Sequence, residues 1–260
     1  MASSPSNFKK VVIVVFENAN YDRVMANNNI KKLNQYGVSF SHMMAETHPS
    51  QGNYIAMIAG SLLGVKNDKV IDLNESHLGD LLEKANMKWK VYAEDYPGNC
   101  FKEKHSGLYA RRHVPFLSFL NVSTNGSRCL NIENEKNFLE DYKNGSLPEF
   151  SMYIPNVKND GHDSNIDFSS NYILSKFGSI LTNPSQMKDV LFIITYDESG
   201  ASPVNQIYTA FFGANIKPAT TNDQVVNHYS ILRMIEEEFN IGNLGREDSK
   251  AMPIVGIWKN

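Results

Sequence analysis

Short apolar runs alternate with longer amphipathic stretches along most of the chain, and that alternation predicts an α/β fold. Val11-Val12-Ile13-Val14-Val15-Phe16 and Val190-Leu191-Phe192-Ile193-Ile194-Thr195 are apolar at successive positions, the pattern of strands buried on both faces of a parallel sheet. Further strands are expected at 89–94, 150–154 and 206–212, with an extended segment at 38–44. Helical spacing covers 28–36, 51–60, 77–86, 168–182 and 226–239. Strands separated by helices imply a largely parallel central sheet with helices on both faces. From 97 to 149 the pattern loosens into Gly, Asn and Ser turns, which reads as an insertion or lid on one domain spanning 1–260. No repeat and no interior linker interrupts it.

Composition narrows the classes. With 42% hydrophobic and 20% charged residues, the chain has the material for an ordinary globular core. Its formal net charge of −3 and scattered Lys and Arg give no footprint for nucleic acid. No window approaches the roughly 18 consecutive apolar residues of a membrane span. The opening Met1-Ala2-Ser3-Ser4-Pro5-Ser6-Asn7 lacks the charged and apolar regions of a signal peptide, so either the chain is cytosolic or such a peptide has been removed. Cys100 and Cys129 exclude a thiolate zinc site and permit one disulfide, and sequons at Asn74, Asn121, Asn125 and Asn144 would suit secretion.

Chemistry-bearing residues gather where the apolar runs end. Glu17 and Asn18 follow the first strand and offer a carboxylate and a carboxamide oxygen to a divalent cation, although the same residues suit an acidic Asx turn. Ser50 falls where a helix starts and is expected at its N-cap. There free N–H groups and the helix dipole favour an alkoxide and a phosphate. Asn53 stands in the first turn and can aim its amide at the same anion. In the stretch 153–163, Asn156, Asp160, His162 and Asp163 follow a strand and can turn toward one point, or simply form an Asp-Gly turn. Asp197 and Glu198 end the strand at 190–196, in the crevice where open α/β sheets bind ligands. His228 opens the last helix as a ligand or a structural cap, and His113 sits among cations beside Arg111 and Arg112. His42, His77 and His105 show no partner pattern.

Taken in order, Phe16-Glu17-Asn18, Thr47-His48-Pro49-Ser50 with Asn53-Tyr54, Arg112-His113-Val114-Pro115-Phe116, Pro155-Asn156 through Asn159-Asp160-Gly161-His162-Asp163, Thr195-Tyr196-Asp197-Glu198 and His228-Tyr229-Ser230 resemble the phosphoesterase family. That family holds secreted acid phosphatases and bacterial phospholipase C-type enzymes within the alkaline-phosphatase superfamily. The resemblance implies a three-layer α/β sandwich and a metal-dependent phosphomonoesterase of the acid phosphatase kind, working through a phosphoserine. By position, Ser50 matches the nucleophile and Asn53 the phosphate-stabilising amide. Glu17, Asn18, Asp197 and Glu198, with Ser50 itself, match the metal ligands. Asp160, His162, Asp163, His228 and His113 match a second half that holds another metal or the phosphate. Magnesium, calcium or manganese suits the oxygen-rich set, and zinc or iron is possible where histidines join.

The resemblance also implies a Cys100–Cys129 disulfide, an extracellular or secretory location over a cytoplasmic one, and a small phosphate ester as partner. Gly52 stands where the family leads one to expect proline. Two rival readings keep the same residues: a phosphodiesterase or phospholipase C, and a secreted phosphate- or metal-binding protein without turnover. A metal-free serine hydrolase is disfavoured by the missing G-x-S-x-G elbow.

Overall fold

The computed structural model describes residues 6–200 and 202–259; positions 1–5, most of the opening segment read above for a targeting signal, lie outside them. Its strands are β1 (Lys10–Phe16), β2 (Val38–Met44), β3 (Trp89–Ala93), β4 (His105–Ser106), β5 (Tyr109–Ala110), β6 (Ile132–Asn134), β7 (Phe150–Ile154), β8 (Val190–Tyr196), β9 (Thr209–Phe212) and β10 (Thr220–Asn227). β4 and β5 pair with each other, and the rest form one eight-stranded sheet in the order β10-β2-β9-β8-β1-β7-β3-β6. Only β9 runs against its neighbours.

The apolar runs become the centre of this sheet. β1 and β8 are buried at every position after the first and β7 throughout, as strands covered on both faces must be. Helices surround the sheet, among them Ser50–Ala59, Leu78–Lys84, Ile166–Leu181 and His228–Phe239, each within two residues of the stretch whose periodicity predicts it.

Two expectations change. β10 is missing from the sequence reading because Thr220-Thr221-Asn222-Asp223-Gln224 is polar; it is an edge strand, parallel to β2 and half in solvent. The stretch 97–149, expected as a loop-rich insertion or lid, supplies the edge strand β6, in parallel register with β3, and the helix Lys136–Lys143. That helix buries Phe138 completely, its ring edge-on to Tyr92, Tyr153 and Phe177. Cys100 and Cys129 are joined in a disulfide across this stretch, as expected, with Cα atoms 5.4 Å apart.

Candidate active site

Parallel pairing sends the C-terminal ends of β1, β7 and β8 to one edge of the sheet. Phe16 is in register with Tyr196, so Glu17 and Asp197 leave adjacent strands side by side. The Asp197 N–H donates to the Phe16 carbonyl at 2.9 Å, and the Glu17 N–H donates to the Asp160 carbonyl at 3.0 Å, which ties in the loop after β7. Ser50 arrives from β2 through residues 45–49, which include a cis His48–Pro49 bond. The helix starts at Ser50 itself, with Pro49 in the cap position, so Ser50 is not the N-cap that the sequence suggests. Its hydroxyl is instead 3.0 Å from Glu17 Oε2 and 3.0 Å from Glu198 Oε1.

Asn53 also differs from expectation. Its Oδ1 accepts from the N–H groups of Glu46 and Thr47 at 2.9 and 3.0 Å, and its Nδ2 donates to the Thr47 carbonyl at 2.8 Å. The amide therefore braces the loop that delivers Ser50. Gly52 lies against the same loop, where a Cβ would meet Thr47 Cγ2 at 2.7 Å, so any side chain there has to displace the Thr47 methyl. Asn53→Ala is expected to lower stability by about 2–4 kcal/mol, because it strands the part-buried N–H groups of Glu46 and Thr47, while the Thr47 carbonyl keeps the Asn205 amide. Urea unfolding checks this, and a loss under about 0.5 kcal/mol would show that the loop holds without its brace.

The acids around Ser50 are buried, and burial governs their electrostatics. Glu17 and Asp197 are both held well above the usual carboxylate range, first by burial and then by neighbouring acids. Asp160 is raised to about 7 by burial, and Glu198 is raised for the same reason. His113 lies between two of them, with Nε2 3.0 Å from Glu17 Oε1 and Nδ1 3.4 Å from Asp160 Oδ2. Its ring stacks on Tyr54 at 5.0 Å. Burial, then Arg112 and His162, push His113 well below its ordinary value, toward the neutral form that ligates metals.

Short as it is, the His113 to Glu17 contact is not aligned as a hydrogen bond. Glu17 Oε1, His113 Nε2, Asp160 Oδ2 and Asp197 Oδ2 are all buried without a hydrogen-bond partner. Donor atoms of Glu17, His113 and Asp160 lie within 4.8 Å of one another. Buried oxygens and an imidazole nitrogen, mutually close and left without partners, fit a divalent cation.

Other expected residues fall around this centre. Asp160 and His113 join Glu17 directly, so they do not form a separate half-site. The Asn18 N–H donates to Asp197 Oδ1 at 3.2 Å, while Asn18 itself is exposed. His162 is exposed, with Nδ1 2.6 Å from Asp163 Oδ1. It lines a cavity of about 400 Å³ together with Glu17, Asn18, Asn20, Arg23 and Asn165. His228 is not gathered into the cluster: it is fully buried, and its Nε2 meets the Asp197 main-chain carbonyl at 2.8 Å. Burial drives it down to about 4, so it stays neutral and positions Asp197.

Sequence reasoning gave no role to His48, whose Nδ1 is 2.6 Å from Glu198 Oε2, or to Tyr54. Both stand inside the Thr47–Tyr54 motif, which was the available signal.

With this geometry in view, the comparisons with known proteins are direct. The family described as the phosphoesterase family matches residues 29–242. The chain is 31% identical over 257 residues to a probable acid phosphatase of Kluyveromyces lactis, covering 94% of this chain and 61% of that protein. An acid phosphatase of Aspergillus fumigatus is 32% identical, with 94% of this chain and 58% of that protein covered. A phosphatidylinositol-3-phosphatase of Mycobacterium tuberculosis is 34% identical, with coverages of 99% and 85%. The chain thus spans about three fifths of the fungal relatives' length. Among solved structures, a protein in the alkaline phosphatase superfamily from Vibrio parahaemolyticus matches at a TM-score of 0.57 and 15% identity, covering 98% of this chain and 73% of that one. At that identity it speaks for the fold alone.

Proposed function

The chain belongs to the phosphoesterase family, and from that premise we propose that it is a metal-dependent phosphomonoesterase that hydrolyses small phosphate esters through a phosphoserine at Ser50. One observation carries this reading: the Ser50 hydroxyl is shared between Glu17 and Glu198 at 3.0 Å each, beside a buried set of unpartnered metal-type donors. The fungal acid phosphatases support it.

The groups that would hold a cation are Glu17, His113 and Asp160, with Asp197 and Glu198 beside Ser50 and Asn18 at the rim. An oxygen-rich set favours magnesium, calcium or manganese, and the His113 nitrogen admits zinc or iron. Bound there, a divalent cation supplies Lewis acidity that acidifies the Ser50 hydroxyl and offsets phosphoryl charge. Glu17 or Glu198 accepts the Ser50 proton as Oγ forms its bond to phosphorus and the ester oxygen leaves. His162, exposed at the cavity and hydrogen-bonded to Asp163, protonates the leaving oxygen and then orients the water that cleaves the phosphoserine. The disulfide supports an oxidising, secretory location. Among the described residues no helix is long and apolar enough to cross a membrane.

Acid quenching during turnover of an aryl phosphate is expected to trap phosphate on Ser50, located by peptide mass spectrometry, and a chiral phosphoryl substrate should show net retention. Inversion at phosphorus with no phosphopeptide would mean direct attack by water. Because the mycobacterial relative is a phosphatidylinositol-3-phosphatase, inositol phosphates belong in the substrate panel beside aryl diesters and a choline phospholipid, which test the diesterase alternative.

A further inference from the structure

The cavity of about 400 Å³ beside the cluster has two unlike walls. Its lining includes His162 and Glu17, whose carboxylate is 3.0 Å from the Ser50 hydroxyl, and these join it to the site. On one side the polar groups are spent on the main chain. Ser164 Oγ donates to the Lys158 carbonyl at 2.6 Å, Ser169 Oγ donates to the Ile166 carbonyl at 3.3 Å, and Asn165 Oδ1 accepts from the Phe168 N–H at 3.0 Å. On the other side Asn20 and Arg23 spend nothing. Asn20 holds the N-cap position of the helix Tyr21–Ala26, where an asparagine ordinarily accepts from the first turn, yet it makes no capping bond. Its Oδ1 is buried without a partner, in room left by Gly200, where a Cβ would meet it at 3.0 Å. Arg23 is exposed, and its guanidinium makes no hydrogen bond and no ion pair among the described residues.

The lining also limits what can fill the space. Ala19 and Ile166 are its only apolar side chains, so a bare aryl or alkyl group finds little surface to bury against. The volume is that of a small-molecule site. Of the two fixed charges in the lining, Glu17 is buried and bonded to Ser50, which leaves the Arg23 charge on the open part of the cavity. A guanidinium fork with no carboxylate on it suits a phosphate or carboxylate group, and an amide without partners suits a hydroxyl.

We propose that this cavity receives the alcohol half of the ester and selects a hydroxyl-rich alcohol carrying a second anionic group, with Arg23 holding that anion and Asn20 a hydroxyl. The inference rests on the reading of Ser50 as the nucleophile and adds the class of alcohol to it. The leaving oxygen takes its proton from His162, in the same lining, while the rest of the alcohol is held by groups that do not touch phosphorus. Arg23 and Asn20 are therefore specificity residues: they sort one phosphate ester from another and leave the bond that breaks to Ser50 and its neighbours.

The test uses the metal-loaded protein and two sugar esters, glucose 1-phosphate and glucuronate 1-phosphate, which share a ring and one phosphate and differ by a carboxylate. The wild type is expected to show a kcat/KM about tenfold or more higher for the glucuronate ester, the factor that one hydrogen bond between charged groups supplies. Arg23→Ala should bring that ratio to about one, and Arg23→Glu should invert it. Asn20→Ala should lower both sugar esters by about threefold to tenfold relative to an aryl phosphate. The same chemistry occurs on a lipid headgroup, so dihexanoyl phosphatidylinositol 3-phosphate, with its phosphodiester as the second anion, forms a third arm. Loss of rate in Arg23→Ala supports the assignment in either arm, and the arm with the larger loss says whether the alcohol is free or lipid-bound. A wild-type ratio near one, or a ratio that Arg23→Ala leaves in place, would overturn it. In the Ser50→Ala background, calorimetric binding of glucuronate 1-phosphate with and without Arg23 judges the cavity alone. Turnover that survives Ser50→Ala therefore ends the nucleophile reading without deciding this one.

Discussion

Ser50→Ala is expected to reduce hydrolysis of an aryl phosphate by at least about 10⁴-fold in kcat while the protein stays folded. Removing a covalent nucleophile elsewhere costs about 10⁶ in kcat, and the rate that survives reflects binding and charge stabilisation alone. Glu17, His113, Asp160, Asp197 and Glu198 all remain in the variant, so a small residual rate should persist. Stability should hardly change. The hydroxyl has one proton to share between two carboxylate oxygens, each 3.0 Å away, and loss of a single hydrogen bond shifts stability by about 1 kcal/mol. Steady-state kinetics beside a thermal melt would separate the two effects. A variant retaining a tenth of the activity would remove Ser50 from the chemistry.

Stripping divalent metal with a chelator is the second large effect, with activity expected to drop at least about 10³-fold and to return on adding metal back. Stability supplies an independent reading with a definite sign. In the metal-free protein Asp160 titrates at about 7, above its ordinary 3.8, because burial disfavours its charge. A carboxyl raised in this way contributes most below its unfolded value, and the contribution is lost as pH rises from about 4 through about 7. Glu17 and Asp197 shift in the same direction.

A bound cation stabilises the ionised acids, so the gap in melting temperature between metal-loaded and metal-free protein should widen between pH 5 and pH 8. Glu46, raised to about 7, and Glu236, raised to about 8, titrate in both forms and largely cancel from that difference. Melts across pH with and without metal give the answer; a gap that narrows toward pH 8 would mean these acids do not hold the ion.

Much of the fold was legible because its central strands are apolar on both faces, a pattern that solvent-facing segments do not produce. β10 escaped for the converse reason, since an edge strand needs few apolar residues. The stretch 97–149 read as loose because its short elements are held by a disulfide, by pairing of β6 with β3 and by the burial of Phe138, none of which leaves a period in the sequence. At the site, residue types at strand ends drew attention to Glu17, Asp197 and Glu198, and parallel pairing of β1 with β8 delivers Glu17 and Asp197 to one edge. Direction was harder to read. Asn53 has the right residue type in the right turn, yet its amide is claimed by the Glu46 and Thr47 main chain. Asp160 and His113, far apart in the chain, converge on Glu17 only through packing against Tyr54 and the loop after β7.

Because Glu17 and Asp197 follow residues paired in register on neighbouring strands, their main chains are spaced by the repeat of the sheet itself, about 4.8 Å. The hydrogen bonds from Asp197 to Phe16 and from Glu17 to Asp160 fasten that spacing on both sides. The platform under the reaction is therefore a fixed ruler and not a hinge. A larger ion, or a bulkier group at phosphorus, has to be met by rotation of side chains, and exchange of one metal for another should alter rates while leaving the backbone in place.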